Sequence, residues 1–325
     1  MPILSGSASL TRFTVNTQEI DLESQEFRTI SPGSEIQESI GIVPFEPEGE
    51  LQIGPSRWAF RVRIDTLRPD PTAVRERLND LLRIEMEESG HPTVGARKRK
   101  ELRNLAREEM LLDARPTSKI IECVIDDRVL YVGTTANSVL GKIVLLLRRA
   151  GVIADFKAPW IDLQQADTES ELLDVYEPGQ SIHGSRFAQK LIGDREILVD
   201  PSNGYAKLQT REARITLSGG VLPDLVRYVE EGAELLGVKL VTAETSFRLD
   251  TLSFRISSLK LEPSKLDHWT EALDERLEKI EGTWDLLDQK YADLMRSGSS
   301  RPQAAAAPRA VDGEDADNVV QFEQG

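Results

Sequence analysis

One cysteine among 325 residues, Cys123, excludes an internal disulfide. Its place in the apolar run CVI reads as a small buried hydrophobe rather than a reactive thiol. Histidine is almost as scarce: His91, His183 and His268 stand isolated, which leaves no histidine-rich metal site or triad. The chain has no GxxxxGKS/T phosphate loop, GxGxxG, HExxH, CxxC or GxSxG, so no enzyme signature is present. The paired acids Asp126-Asp127 and Glu87-Glu88 fit a hairpin turn and a solvated helix face. A metal-dependent nuclease needs only a few scattered carboxylates and stays as the alternative. The expectation is a non-enzyme with no cofactor and no metal site. No apolar run approaches the ~20 residues of a membrane span; the longest, KIVLLLRRAGVI, is broken by two arginines. MPILSGSASL lacks the basic and apolar regions of a signal peptide. A cytoplasmic protein with no membrane partner is expected.

What is abundant is charge. The chain carries 40 Lys+Arg against 55 Asp+Glu, a net charge of -15, which disfavours indiscriminate binding to nucleic acid. Charges farther apart than a Debye length of about 8 Å are nevertheless screened at physiological salt, so a local basic surface can still act. VGARKRKELR supplies one, and residues 94–119 hold eight cations and four anions. At about 100° per residue, Arg99, Arg103 and Arg107 stack along one flank of a helix with Lys100 beside them. Glu101 and Glu108 fall on the opposite flank, and Leu102, Leu105, Ala106 and Leu112 form an apolar stripe. RWAFRVRI (57–64) supplies a second array. Its strict alternation predicts a half-buried strand with Trp58, Phe60, Val62 and Ile64 on one face and Arg57, Arg61 and Arg63 on the other. Two readings stay open for these cations: solvated or acid-paired surface, or a phosphate-tracking surface. Aromatics are 6% of the chain and none shares a face with these cations, so a duplex backbone is favoured over a single-strand stacking platform.

The remaining pattern is that of an α+β protein of antiparallel sheets and long helices. ASLTRFTV reads as a first strand and GIVPFEPEGE as a loop. Asp70-Pro71 is an N-cap with proline at the first helical position. KIIECVI and RVLYVGT are strands joined at Asp126-Asp127, followed by a helix over 138–150. The polar stretch 155–195 holds a short helix near 185–192. EILVD, YAKLQ and ARITLS are strands, with Asn203-Gly204 as a hairpin turn. Pro223 opens a helix reaching Leu236, and VKLVTAETSFRL and TLSFRISSLKL are two strands. Trp269, Leu273, Leu277, Ile280, Trp284, Leu287, Tyr291 and Leu294 recur at steps of three and four. They mark a long helix that either packs on its own sheet or forms a coiled-coil dimer seam. The expected organisation is an N-terminal region over 1–154 with its basic helix at 97–113, a C-terminal region over 155–296, and a disordered acidic tail over 297–325.

The stretches SGSASLTRF, GIVPF, LRPDPTAVRERL, CVIDDRVLYVGTTANSVLGKIVLLLRRAG and VRYVEEGAELLGVKLVTAETSFRLDTLSFRISSLKL occur in an order that resembles the RdgC family of recombination-associated proteins. The likeness spans most of residues 1–296 and is poorest over 155–200. It implies a fold whose two subunits join end to end into a ring, with a positively lined hole that binds double-stranded DNA with little sequence preference. It further implies a nucleoid-associated homodimer that restrains a RecA-type recombinase by occupying DNA. Two departures stand out. The family's helix after the first strand is reduced to DLESQEF, and DARPTSK has Pro116 and Thr117 where the family places an aromatic at a subunit contact. The expected DNA contacts are Lys98, Arg99, Lys100, Arg103 and Arg107, then Arg57, Arg61 and Arg63. Lys119, Arg148 and Arg149 come last, because arginines that end a helix also stabilise its dipole. A protein-only adaptor acting through the last helix and tail is the remaining alternative.

Overall fold

The computed structural model describes residues 3–17, 20–31, 36–47, 49–162, 177, 179–266 and 268–296. It is α+β, with thirteen strands among the described residues joined into one antiparallel sheet. The acidic tail expected over 297–325 lies outside the described residues.

In the first half, β1 (Ala8–Thr17) is followed by a single 3-10 turn (Glu23–Gln25), then β2 (Glu38–Val43), β3 (Gln52–Gly54) and β4 (Arg57–Leu67). GIVPF is therefore not all loop: Gly41, Ile42 and Val43 pair with Arg63, Val62 and Arg61. The helices α1 (Pro71–Ser89) and α2 (Ala96–Leu112) lead into β5 (Pro116–Asp126) and β6 (Val129–Val132). The start of α1 obeys its sequence signal, since the Asp70 carboxylate accepts the Thr72 N–H at 2.9 Å and satisfies one of the orphan donors of the first turn. Next come α3 (Asn137–Arg149) and β7 (Val152–Phe156).

The second half contains α4 (Pro159–Asp162), α5 (Ile182–Lys190), β8 (Leu198–Val199), β9 (Gly204–Gln209), β10 (Arg214–Gly219), α6 (Leu222–Glu230), β11 (Glu234–Val241), β12 (Ser246–Asp250), β13 (Arg255–Lys260) and α7 (Trp269–Arg296). Three sequence expectations are corrected here. Asn203-Gly204 is not a hairpin turn, because β8 pairs with β11 and not with β9. The Asp200 carboxylate instead accepts the Ser202 and Asn203 N–H groups. Gly204 is required by close packing: a Cβ there would sit 2.5 Å from Val221 and 2.7 Å from the Asp200 carbonyl. The helix after Pro223 stops at Glu230, where Gly232 takes φ 89°, and Leu235 and Leu236 belong to β11. VKLVTAETSFRL is a hairpin rather than one strand, turning where Thr242 and Thr245 exchange hydrogen bonds.

The strand order is β10-β9-β11-β12-β13-β1-β6-β5-β4-β2. β1 is the splice: Ala8 and Leu10 pair with Leu259 and Ile256 of β13, whereas Thr11–Thr14 pair with β6. Residues 13–17 also pair with β7, so the sheet runs across the 154/155 boundary. One face of β4, β5 and β6 buries Phe60, Val62, Ile121, Cys123 and Leu130 beneath Leu140, Ile143 and Leu147 of α3. The opposite face contributes Ala59, Val124 and Tyr131 to a second core completed by α7. Strands covered on both sides need apolar residues at consecutive positions, which explains the unbroken run in β5.

On α7, Leu273, Leu277, Ile280, Trp284, Leu287 and Tyr291 are 0–2% exposed. Each such side chain contributes about 1.5–3 kcal/mol of transfer free energy. The heptad-like stripe is thus consumed by this chain's own sheet, and the alternative of a dimer seam along it is overturned. Arg12 of β1 reaches the same helix, bonding Asp288 through both guanidinium nitrogens and lying 4.4 Å from the Trp284 ring centre.

Candidate nucleic-acid interface

The basic helix sits in an antiparallel helical hairpin with a small core of its own. Leu78 of α1 and Leu102 and Ala106 of α2 are its buried members, flanked by Val74, Leu81, Leu82 and Val94. Leu105 and Leu112, expected on that apolar stripe, are instead 42% and 64% exposed. Their angular positions explain this: both lie about 60–80° from the direction of Leu102, and one opposing helix is too narrow to cover so wide an arc. Ion pairs bridge the hairpin. Arg77 of α1 meets Glu109 at 2.5 Å and Lys98 meets Glu85 at 3.3 Å, and the Arg77 guanidinium holds the Glu109 carboxyl below its usual range.

With Lys98 committed to this bridge and Arg97 paired with Glu101 at 3.4 Å, the rest of the stripe is left over. Arg99, Lys100, Arg103 and Arg107 are exposed and make no ion pair among the described residues. Counted from Leu102, they occupy an arc of roughly 60–160° around the helix. Arg99 to Arg107 spans eight residues, a rise of about 12 Å. That length matches about three phosphates along one strand of a duplex, at 3.4 Å each.

The second array behaves differently. Arg57, Arg61 and Arg63 do share a face of β4, as the alternation predicts, but that face is not a free cationic surface. Arg57 bonds Asp126 across the strand pair and Asp274 of α7, both at 2.5 Å. Arg61 faces Glu122 at 3.4 Å, donates to the Phe45 carbonyl and lies 4.6 Å over the Phe45 ring. Arg63 chelates Asp65 with two bonds of 2.9 Å and lies 4.4 Å from the Phe27 ring centre. The Arg63 guanidinium holds the buried Asp65 carboxyl below its usual range. The sequence lacked a signal for these partners, because Asp274 is 217 residues from Arg57 and Phe45 approaches only through the fold. These arginines are joints between the sheet and its surroundings, consistent with opposite charges facing across adjacent strands.

Lys119 is exposed at the open end of β5, opposite Ile64. Arg148 and Arg149 occupy the last turn of α3 and are exposed, where a cation complements the helix dipole. The seven candidates other than Lys98 and the β4 trio thus fall in three places: the α2 arc carries four cations together, the end of β5 carries one, and the last turn of α3 carries two. Sequence reasoning also missed the buried arginines. Arg276 of α7 donates to the Ile3 and Gly6 carbonyls, and Arg255 donates to the Thr135 carbonyl and to Asn137. Burial lowers the pKa of both guanidinium groups, and both serve the fold.

No helix among the described residues is long and apolar enough to cross a membrane. No protein-family model matches the chain, and a search of curated proteins finds no relative.

Proposed function

We propose that the chain is a non-enzymatic protein that binds double-stranded DNA without sequence preference through α2. The observation that carries the reading is the arc of Arg99, Lys100, Arg103 and Arg107, exposed and without acidic partners among the described residues, in a chain of net charge -15. Guanidinium and ammonium groups spread along a helix flank neutralise phosphates and read no base edges, so affinity is sequence-independent. The net negative charge of the chain opposes indiscriminate contact with the duplex elsewhere. The order of segments shared with the RdgC family supports the rest of the proposal. The chain acts as a ring-like homodimer on nucleoid DNA in the cytoplasm, and it restrains a RecA-type recombinase by occupying the DNA. Residues 116–120 at the uncovered end of β5, including Ile120 at 54% exposure, are a surface left open for a second subunit.

The test is a titration of the full chain against labelled duplexes of unrelated sequence at about 50 mM salt, where phosphate contacts are strong. Equal affinities for all duplexes, with strand exchange by a RecA-type recombinase falling as duplex occupancy rises, are expected. No binding at that salt, or cleavage of the DNA with Mg²⁺ that a single carboxylate substitution abolishes, overturns the reading.

A further inference from the structure

The face of the sheet turned away from the core beneath α5, α6 and α7 carries a second set of cations that the sequence separates and the pairing register assembles. On β9, Ala206 and Leu208 enter the core, so Tyr205 and Lys207 point to the other side. The register then continues this polar face across neighbouring strands. Thr216 and Ser218 of β10 pair with Lys207 and Tyr205, Arg214 pairs with Gln209, and Lys239 of β11 stands opposite Arg248 of β12. Arg214, Thr216, Ser218, Arg248 and Asp250 are exposed, so the face reaches solvent.

Its centre is hollow. Gly237 faces Lys207 on one side and Asp250 on the other, next to a bulge that shifts the β11–β9 register between Leu235 and Gly237. Glycine inside a strand costs stability and marks either a bulge or a close approach. Here it leaves a pocket of about 380 Å³ lined by Tyr205, Lys207, Arg214 and Arg248 together with Glu177 and Asp250. The cations are poorly compensated. Lys239 is neutralised by Asp200 at 2.7 Å, and Arg214 bonds the neutral Gln209 and no acid among the described residues. Lys207 and Arg248 have no ion pair among the described residues. Arg248 lies 4.5 Å over the Tyr205 ring, a cation–π contact that holds the guanidinium beside the pocket.

From this geometry we infer that the open face of β9–β12 is a second binding site, for single-stranded nucleic acid. The strands lie about 4.8 Å apart, so Arg214 on β10 to Arg248 on β12 covers roughly 14 Å, a track for several backbone phosphates. The concave centre accepts one splayed base, which a single strand offers and a stacked duplex does not. The guanidinium over Tyr205 offers a stacking surface for that base. Asp250 and Glu177 supply acceptors for base amino groups, which are unpaired only in a single strand. The linear sequence carries no sign of this pairing, because Tyr205 joins Arg248 only through the sheet.

The site is independent of α2, and the experiment separates the two. Anisotropy of a labelled oligothymidylate of about 20 nucleotides and of a duplex is measured with the full chain, with Lys207→Glu/Arg214→Glu, and with Arg99→Ala/Arg103→Ala/Arg107→Ala. The single-strand affinity is expected to fall at least about tenfold in the first variant while its duplex affinity holds, and the reverse in the second. Arg214→Glu alone, at an exposed strand position, gives the same direction should the double variant melt early. Absence of oligothymidylate binding by the unaltered chain at low salt overturns the inference. So does single-strand affinity that survives both β-face variants, or that is lost only with the α2 triple variant. In either case the duplex result for α2 stands on its own.

Discussion

Replacing Arg99, Arg103 and Arg107 by alanine removes three of the four uncompensated cations of the α2 arc and leaves Lys100. Their side chains are exposed and bridge no other element, and alanine is the best helix former, so stability should change by no more than about 0.5 kcal/mol. Binding should change greatly. With four phosphates neutralised, log K falls against log[salt] with a slope of about -3.6, and with one, about -0.9. Between about 50 and 200 mM salt, the unaltered chain then loses roughly 150-fold in affinity and the variant only about 3.5-fold. Fluorescence anisotropy with one labelled duplex over four salt concentrations measures both slopes, and a thermal melt checks folding. A dimer that engages both arms doubles the unaltered slope without altering the comparison. Parallel lines for the two proteins would show that the phosphates meet some other surface, and the assignment to α2 would fail.

Arg12→Ala should destabilise the chain by about 3 kcal/mol in urea titration. It strips a buried cation from Asp288 and from the Trp284 face, and removing one partner of a buried pair costs about 3–5 kcal/mol. The partly exposed Asp288 brings the loss toward the lower end, and a loss under about 1 kcal/mol would refute the role as a joint. Asp200, bonded to Lys239 and to two backbone N–H groups, has its pKa lowered to about 2. A depressed carboxylate pKa stabilises the fold above the unfolded value near 3.8, and the stabilisation is lost as pH falls toward 2. Asp200→Asn should therefore be less stable at pH 7 by on the order of 2 kcal/mol, with the two urea midpoints converging between pH 4 and about 2; a constant gap across that window would contradict the cause given. Cys123 is fully buried, and burial pushes its thiol pKa up. It should resist a thiol reagent in the native state and react fully in denaturant, whereas rapid native labelling would place it at a surface.

The legible parts of this molecule are those whose causes are local. The cap at Asp70, the alternation in RWAFRVRI, the turn at Asp127 and the periodicity of α7 depend on neighbours within a few residues, and the structure reproduces each. Failures occurred where a distant partner decided the outcome. The Asn203-Gly204 pair carries a hairpin signal, yet β8 is drawn to β11 and glycine serves a close contact with Val221. The helix after Pro223 was extended too far because Leu235 and Leu236 satisfy either periodicity until β9 and β12 pair around them. Among the site residues, the α2 arc was visible because one helix orders its own flank. The pairing of Arg57, Arg61 and Arg63 was invisible, since strand alternation predicts a face but not what covers it.

From the chain alone came the segregation of charge, the positions of the long helices and the half-buried character of β4, because each is set by spacing along a single element. The tertiary structure alone decided which cations stay free. An ion pair depends on a carboxylate's position in space, and Coulomb attraction is decided within a few ångströms irrespective of separation along the chain. It also decided that the stripe of α7 closes a core within one subunit, and that Tyr205 meets Arg248. The first is the packing of a helix on a sheet and the second follows from sheet register, and each joins residues tens of positions apart with no counterpart in any local pattern.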